Sequence, residues 1–300
     1  DESERMILDV AEKRQRKGFV AIGDAMHEAI DQISLMAQQD SEVTGIPTFR
    51  DLDRLLLGLH GSDMIIVAAR PGMGKTSFCL NVALRAARSG YPVAIFSLEM
   101  SADQLVTRML SSEAMLDQQK LRSGKIGMEE IERLSKTAND LAGLPVFIDD
   151  TPGISAMEIR GKARRLKAEK GLGLVIVDYL QLMQSHKKVE NRQQEVSEIS
   201  RSMKALAREL DVPVMALSQL SRAVEQSSDK KPALSHLRES GSLEQDSDCV
   251  MFIHRPDYYD EETEKKNIAE IIVAKHRHGP TGSVELAFFP ELTKFADLAR

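Results

Sequence analysis

The chain has 300 residues, 42% of them hydrophobic, with a formal net charge of −6, no tryptophan and two cysteines. That length suits one large domain with a filled core, alone or with an appendage. The acidic balance argues against a broad basic face, so a nucleic-acid site has to be local. Cys79 and Cys249 lie far apart and fit no metal-ligand spacing, which points to a reduced, cytoplasmic chain. No apolar run approaches the roughly 18 residues of a membrane span, and no signal-peptide pattern opens the sequence. It begins Asp1-Glu2-Ser3, as a piece of a longer protein would.

In chain order, residues 4–17 put Met6, Ile7, Val10 and Ala11 on one helical stripe that ends in Lys13-Arg14-Gln15-Arg16-Lys17. Gly18 stops this helix. It reads as a linker that docks on a neighbouring subunit, so residues 1–22 form a linker helix and connector and 23–300 the main domain. Asp24 is expected to cap a second helix through about Gln38. Strands are then expected over Met64–Ala69, Pro92–Leu98, Pro145–Ile148, Leu172–Val177 and Val212–Leu217. Helices alternate with them, at Ser77–Arg88, after Ser101, over 129–142 and 155–170, and over Arg192–Leu210. The polar run Glu225–Lys231 reads as a loop. Cys249–His254, Ala269–Lys275 and Ser283–Phe289 close the chain without intervening helices. Continuous Val/Ile runs separated by helices imply an α/β fold: a mostly parallel sheet covered on both faces, with an antiparallel C-terminal extension.

The densest chemical signal follows the first of these strands. Ile65-Ile-Val-Ala-Ala-Arg70 breaks into Pro71, Gly72, Met73 and Gly74, closed by Lys75, Thr76 and Ser77. Such a loop cradles phosphates with backbone N–H groups at a helix N-terminus. Lys75 then reaches the β- and γ-phosphates and Thr76 ligates Mg²⁺. The usual pattern opens with Gly where this chain has Ala69. Asp178 ends an apolar strand and is the second candidate Mg²⁺ residue. Glu99, at the end of the next strand on the same sheet edge, is the candidate general base. Gln219 closes another strand, where a neutral amide can touch the γ-phosphate. Lys275-His276-Arg277-His278 is either an arginine finger or a solvated basic turn; no third ligand near His276 and His278 supports a metal there.

Taken together, these segments resemble the C-terminal motor domain of DnaB-type replicative helicases, a RecA-like P-loop ATPase. The resemblance rests on Ala69-Arg-Pro-Gly-Met-Gly-Lys-Thr76, Ile95-Phe-Ser-Leu-Glu-Met-Ser101, Val177-Asp-Tyr-Leu-Gln-Leu182, Ala216-Leu-Ser-Gln-Leu-Ser-Arg222, Leu237-Arg-Glu-Ser-Gly-Ser-Leu-Glu-Gln-Asp246 and Ala274-Lys-His-Arg-His-Gly279. It implies ATP and Mg²⁺ as cofactors and a homo-hexameric ring that translocates on single-stranded DNA. It further implies Gln219 as phosphate sensor, Lys275 and Arg277 acting on a neighbouring subunit's γ-phosphate, and Arg238, Glu239 and Gly241 in the DNA-contacting loop. A helicase loader is a further implied partner. The family's N-terminal collar, which contacts primase, is not part of this sequence, so primase contact is not expected of it. The family also carries a Gly between Thr48 and Phe49 that is absent here. A recombinase filament and a nucleotide-gated scaffold are the competing readings of the same fold.

Overall fold

The computed structural model describes residues 19–38, 43–184, 191–227, 229–260 and 262–299. The linker helix expected over 4–17 lies outside them. Contacts divide the chain into two units, 1–44 and 45–300. In the first, a helix runs Ile22–Gln38, with Ile22, Met26, Ile30 and Ile33 exposed along one stripe. It starts two residues before Asp24, because the Ala21 carbonyl accepts the first helical bonds from Asp24 and Ala25. Asp24 therefore sits in the first turn instead of capping it.

In the second unit nine strands among the described residues form one sheet: β1 Met64–Ala69, β2 Val93–Ser97, β3 Val146–Asp149, β4 Leu174–Asp178, β5 Val214–Gln219, β6 Cys249–His254, β7 Ile268–His276, β8 Gly282–Phe289 and β9 Lys294–Asp297. Their spatial order is β3-β2-β4-β5-β1-β6-β7-β8-β9. The first six in this order run parallel; β7, β8 and β9 follow antiparallel. β6 thus pairs parallel with β1 before the extension begins. The short strand β9 and the helices Arg50–Leu56 and Gln118–Ser123 are additions to the elements expected from sequence.

The sheet is apolar because both of its faces are covered. Along β1, Ile65, Val67 and Ala69 face one core and Met64, Ile66 and Ala68 the other, the period of two that a pleated strand imposes. The first core takes Phe78, Val82 and Ala86 from the helix Lys75–Arg88. The second takes Val196, Ile199 and Met203 from Arg192–Leu210. Burial at this level contributes about 1.5–3 kcal/mol per large side chain. Two polar contacts fix the ends. Asn81 accepts from the Phe295 N–H at 2.6 Å, pinning β9 to the helix Lys75–Arg88. At the segment lacking the glycine, the Thr48 N–H and hydroxyl both donate to Asp53, and Phe49 packs on Phe78 with ring centroids 5.5 Å apart.

Candidate active site

β1, β2, β4 and β5 end along one sheet edge, and each delivers a residue there: Ala69 with the following loop, Ser97 before Glu99, Asp178 and Gln219. A cavity of about 340 Å³ opens at this edge, lined among others by Gly72, Lys75, Thr76, Glu99 and Gln219. Open α/β sheets hold ligands at this place.

The loop after β1 turns through left-handed backbone at Gly72 (φ 80°) and Gly74 (φ 91°). Gly74 also starts the helix Lys75–Arg88, whose first N–H groups point into the cavity end. A Cβ on Gly74 would lie 3.0 Å from the rings of Phe288 and Phe295. Met73 and Ser77 are buried, and Ser77 lines the cavity. Pro71 lines the cavity. Arg70 lines it too, with its guanidinium tied: it donates to Glu225 at 2.7 and 3.0 Å and to the Leu220 carbonyl at 2.9 Å. The loop expected from Glu225 onward therefore begins inside a tied 3-10 turn, Arg222–Gln226.

Thr76 donates its hydroxyl to Asp178 Oδ2 at 2.7 Å, and Asp178 is 3% exposed. The other carboxylate oxygen, Oδ1, is buried with no hydrogen-bond partner. Burial pushes the Asp178 carboxyl up, against the pull of Lys75, Thr76 and Arg108. Burial likewise pulls the Lys75 ammonium down, opposed by Asp178. Its Nζ rests 4.5 Å from the Tyr179 ring centroid. A desolvated cation and a desolvated carboxylate with an orphaned oxygen are costly in isolation. They fit a pocket completed by a polyanion and a divalent cation.

Glu99 is exposed to the cavity on a turn that Ser97 clamps, its hydroxyl donating to the Met100 carbonyl at 2.6 Å. Gln219 stands at the exposed end of β5. Behind it Gln181 donates to Ser218 Oγ at 2.9 Å, and Arg192 donates to the Gln181 carbonyl. Two wall residues, and Gln181 behind Gln219, escaped the sequence reading. Arg108 lines the cavity with its Nε buried and unpartnered. Arg255 lies 4.6 Å over Phe288 and donates to the Gly72 carbonyl at 3.3 Å. Gln181 lay within a quoted motif but carried no assigned role. Nothing in the local sequence ties Arg108 or Arg255 to the loop, since the fold alone brings them there.

Lys275 and Arg277 are elsewhere. β7 runs antiparallel to β6, so its end pairs with the start of β6, Cys249 opposite His276. Asp248 in turn donates its N–H to the Met64 carbonyl at the start of β1. The two cations therefore sit at the sheet edge opposite the phosphate loop. At about 3.3 Å per residue, the length of β1 puts roughly 17 Å between the edges. Lys275 donates to the carbonyls of Glu244 and Ser247, and Arg277 to the Gln245 carbonyl at 2.9 Å. His278 meets two acids the sequence left distant, with Nε2 3.5 Å from Asp63 and Asp248 beside them. Burial, then Asp248, raises the Asp63 carboxyl. Residues 234–240 form a 3-10 turn and Gly241 opens a short helix, Gly241–Asp246; the side chains of Arg238 and Glu239 lie outside the described residues.

The family DnaB-like helicase C terminal domain matches residues 45–297. The chain is 54% identical over 303 residues to the replicative DNA helicase DnaB of Geobacillus stearothermophilus, covering all of this chain and 67% of that protein. It is 52% identical to the replicative DNA helicase DnaC of Bacillus subtilis, again over the whole chain and 66% of the relative. It thus spans about two thirds of the length of these relatives. Among solved structures, one ATPase domain superposes with a TM-score of 0.90 at 40% identity, covering 94% of this chain and 100% of that one. A DnaB-like replicative helicase studied with primase gives 0.87 at 38% identity, over 98% of this chain and 71% of the other. By sequence and by fold, the chain belongs to the DnaB-like helicases and carries their C-terminal domain.

Proposed function

We propose that this chain is the motor of a replicative DNA helicase: a homo-hexameric ring that hydrolyses ATP, translocates on single-stranded DNA and separates the strands. One observation carries the reading. The phosphate loop, Thr76, Asp178, Glu99 and Gln219 gather on one sheet edge, while Lys275 and Arg277 sit on the opposite edge. No chain can bring both sets to one nucleotide, so a complete site forms between neighbours, as a closed ring requires. Arg70, Pro71, Gly72, Met73, Gly74, Lys75, Thr76 and Ser77 form the phosphate cradle, with Arg70 acting through its backbone. Thr76 and the orphaned Asp178 oxygen would hold Mg²⁺, which offsets phosphate charge when bound. Glu99 orients and deprotonates the attacking water, and Gln219 reports the γ-phosphate.

Arg238 and Glu239, on the turn, and Gly241, which opens the helix after it, meet the DNA. Contacts there go to phosphates, which suits a motor indifferent to sequence. Residues 1–22 dock on the neighbouring subunit and 23–300 form the motor. The relative studied with primase contains sequence beyond the region matched here, and by our reading primase contact belongs to such a collar and not to this motor. A helicase loader acts on the assembled ring, in the cytoplasm. Among the described residues no helix is long and apolar enough to cross a membrane. The relatives are replicative helicases, which favours this reading over a recombinase filament. The test is the ATPase rate with and without single-stranded DNA beside native mass spectrometry. DNA-stimulated hydrolysis by a hexamer is expected; a DNA-indifferent ATPase would point to the scaffold.

A further inference from the structure

Asp248 has no part in the nucleotide pocket, yet it is 2% exposed and both of its carboxylate oxygens accept hydrogen bonds. Oδ2 accepts from the Met64 N–H at 2.8 Å and from Lys204 Nζ at 2.6 Å. Oδ1 accepts from Arg277 at 3.2 Å. Its backbone joins in: the Arg277 N–H donates to the Asp248 carbonyl at 2.9 Å. The neighbouring carbonyls of Glu244 and Ser247 accept from Lys275, and that of Gln245 accepts from Arg277. The grouping of Asp63, Asp248 and His278 looks at first like a metal site. Lys204 and Arg277 already fill it with positive charge, which excludes that use.

We propose that Asp248, with the carbonyls of residues 244–247, is a positioning seat that aims Lys275 and Arg277 at the neighbouring subunit's nucleotide. The proposal rests on the composite-site reading above. A guanidinium on an exposed strand end samples many rotamers, and a finger is effective only when pre-aimed. The seat removes that freedom from both cations at once. Asp248 anchors it to three elements, the start of β1, the helix Arg192–Leu210 through Lys204, and the end of β7. The seat carbonyls also belong to the turn closing the helix Gly241–Asp246, which directly follows the DNA-contacting turn. Ser200 holds that helix by donating to Asp246 at 2.7 Å. DNA engagement and finger aim thus share one short element.

Asp248→Asn keeps an acceptor for Met64 and Lys204 and turns an amide N–H₂ toward Arg277, unseating it. In assembled rings kcat for ATP should fall roughly 10–100-fold, the scale of a misplaced catalytic group, with nucleotide affinity within about twofold of the parent. Lys204→Met removes a half-buried anchor of Asp248 but leaves the Arg277 contact, so it should lower the melting temperature and reduce kcat less than Asp248→Asn does. Ser200→Ala removes only a hydroxyl and should lower kcat in the same direction. Parental kcat in both Asp248→Asn and Ser200→Ala overturns the proposal, as does a kcat loss in Lys204→Met as large as that in Asp248→Asn. Mixed rings separate the two layers. If Arg277→Ala subunits complement Glu99→Gln subunits but Asp248→Asn subunits behave as parent, the seat fails alone. If Arg277→Ala shows no complementation, the composite site fails first.

Discussion

Replacing Gly74 by alanine should damage fold and site together, and the structure gives the size of each part. Gly74 has φ 91°, so any side chain there meets the left-handed penalty of about 1–2 kcal/mol. Its added Cβ would lie 3.0 Å from ring atoms of Phe288 and Phe295, which are 4% and 2% exposed. Neither ring can swing clear, and overpacking of this kind costs about 1–3 kcal/mol. The sum is roughly 2–5 kcal/mol, a large share of the 5–15 kcal/mol typical of a domain. If the loop relaxes instead, its N–H groups leave the phosphate positions, and nucleotide affinity falls. Gly72→Ala is the internal comparison. It has φ 80°, but the nearest group is the Tyr258 ring at 3.1 Å, and that ring is 52% exposed and free to move. It should cost only the backbone part, about 1–2 kcal/mol. Urea unfolding of both variants, with titration of a fluorescent ATP analogue, reads both effects. Adding Phe288→Leu should recover part of the Gly74→Ala loss. Equal costs at the two glycines, or no recovery, would refute the packing argument.

Other outcomes follow from the same geometry. Lys75→Ala should abolish hydrolysis and greatly weaken nucleotide binding; turnover within a few-fold of the parent would remove the loop from the site. Glu99→Gln should retain binding and slow hydrolysis roughly 10²–10⁴-fold, the usual worth of a positioned base; weakened binding with normal turnover would give Glu99 a structural role instead. Arg238→Ala should weaken single-stranded DNA binding evenly across sequences and lower its salt slope, leaving basal hydrolysis intact. Unchanged DNA affinity would move the contact elsewhere.

The central strands were legible because both faces of the sheet are covered, so Met64–Ala69 and the stretch of Leu174–Asp178 before its closing acid read as unbroken apolar runs. β9 was not: of Lys294–Asp297 only Phe295 is buried, and one residue makes no pattern. Asp24 misled because a helix start depends on which carbonyl accepts first, and Ala21 carries no side-chain signal. In the site, the phosphate loop announces itself through contiguous residues, whereas Arg108 and Arg255 reach the cavity only through tertiary packing. Reading Lys275-His-Arg277 as a solvated turn or as a finger needed the strand direction. Only pairing against β6 puts these cations on the far edge. Likewise, Asp248 sits in the sequence as one acid among several, and its role follows from three partners distant in the chain.

The most direct test mixes two dead proteins. A Glu99→Gln subunit offers a sound finger and no base, and an Arg277→Ala subunit offers a sound base and no finger. Each alone should be nearly inactive, the second by roughly 10³-fold or more. After subunit exchange, confirmed by native mass spectrometry, junctions that place the intact Arg277 against the intact Glu99 should hydrolyse ATP, so mixed rings exceed the sum of their parents. A strictly additive mixture with exchange confirmed would contradict a site shared between neighbours.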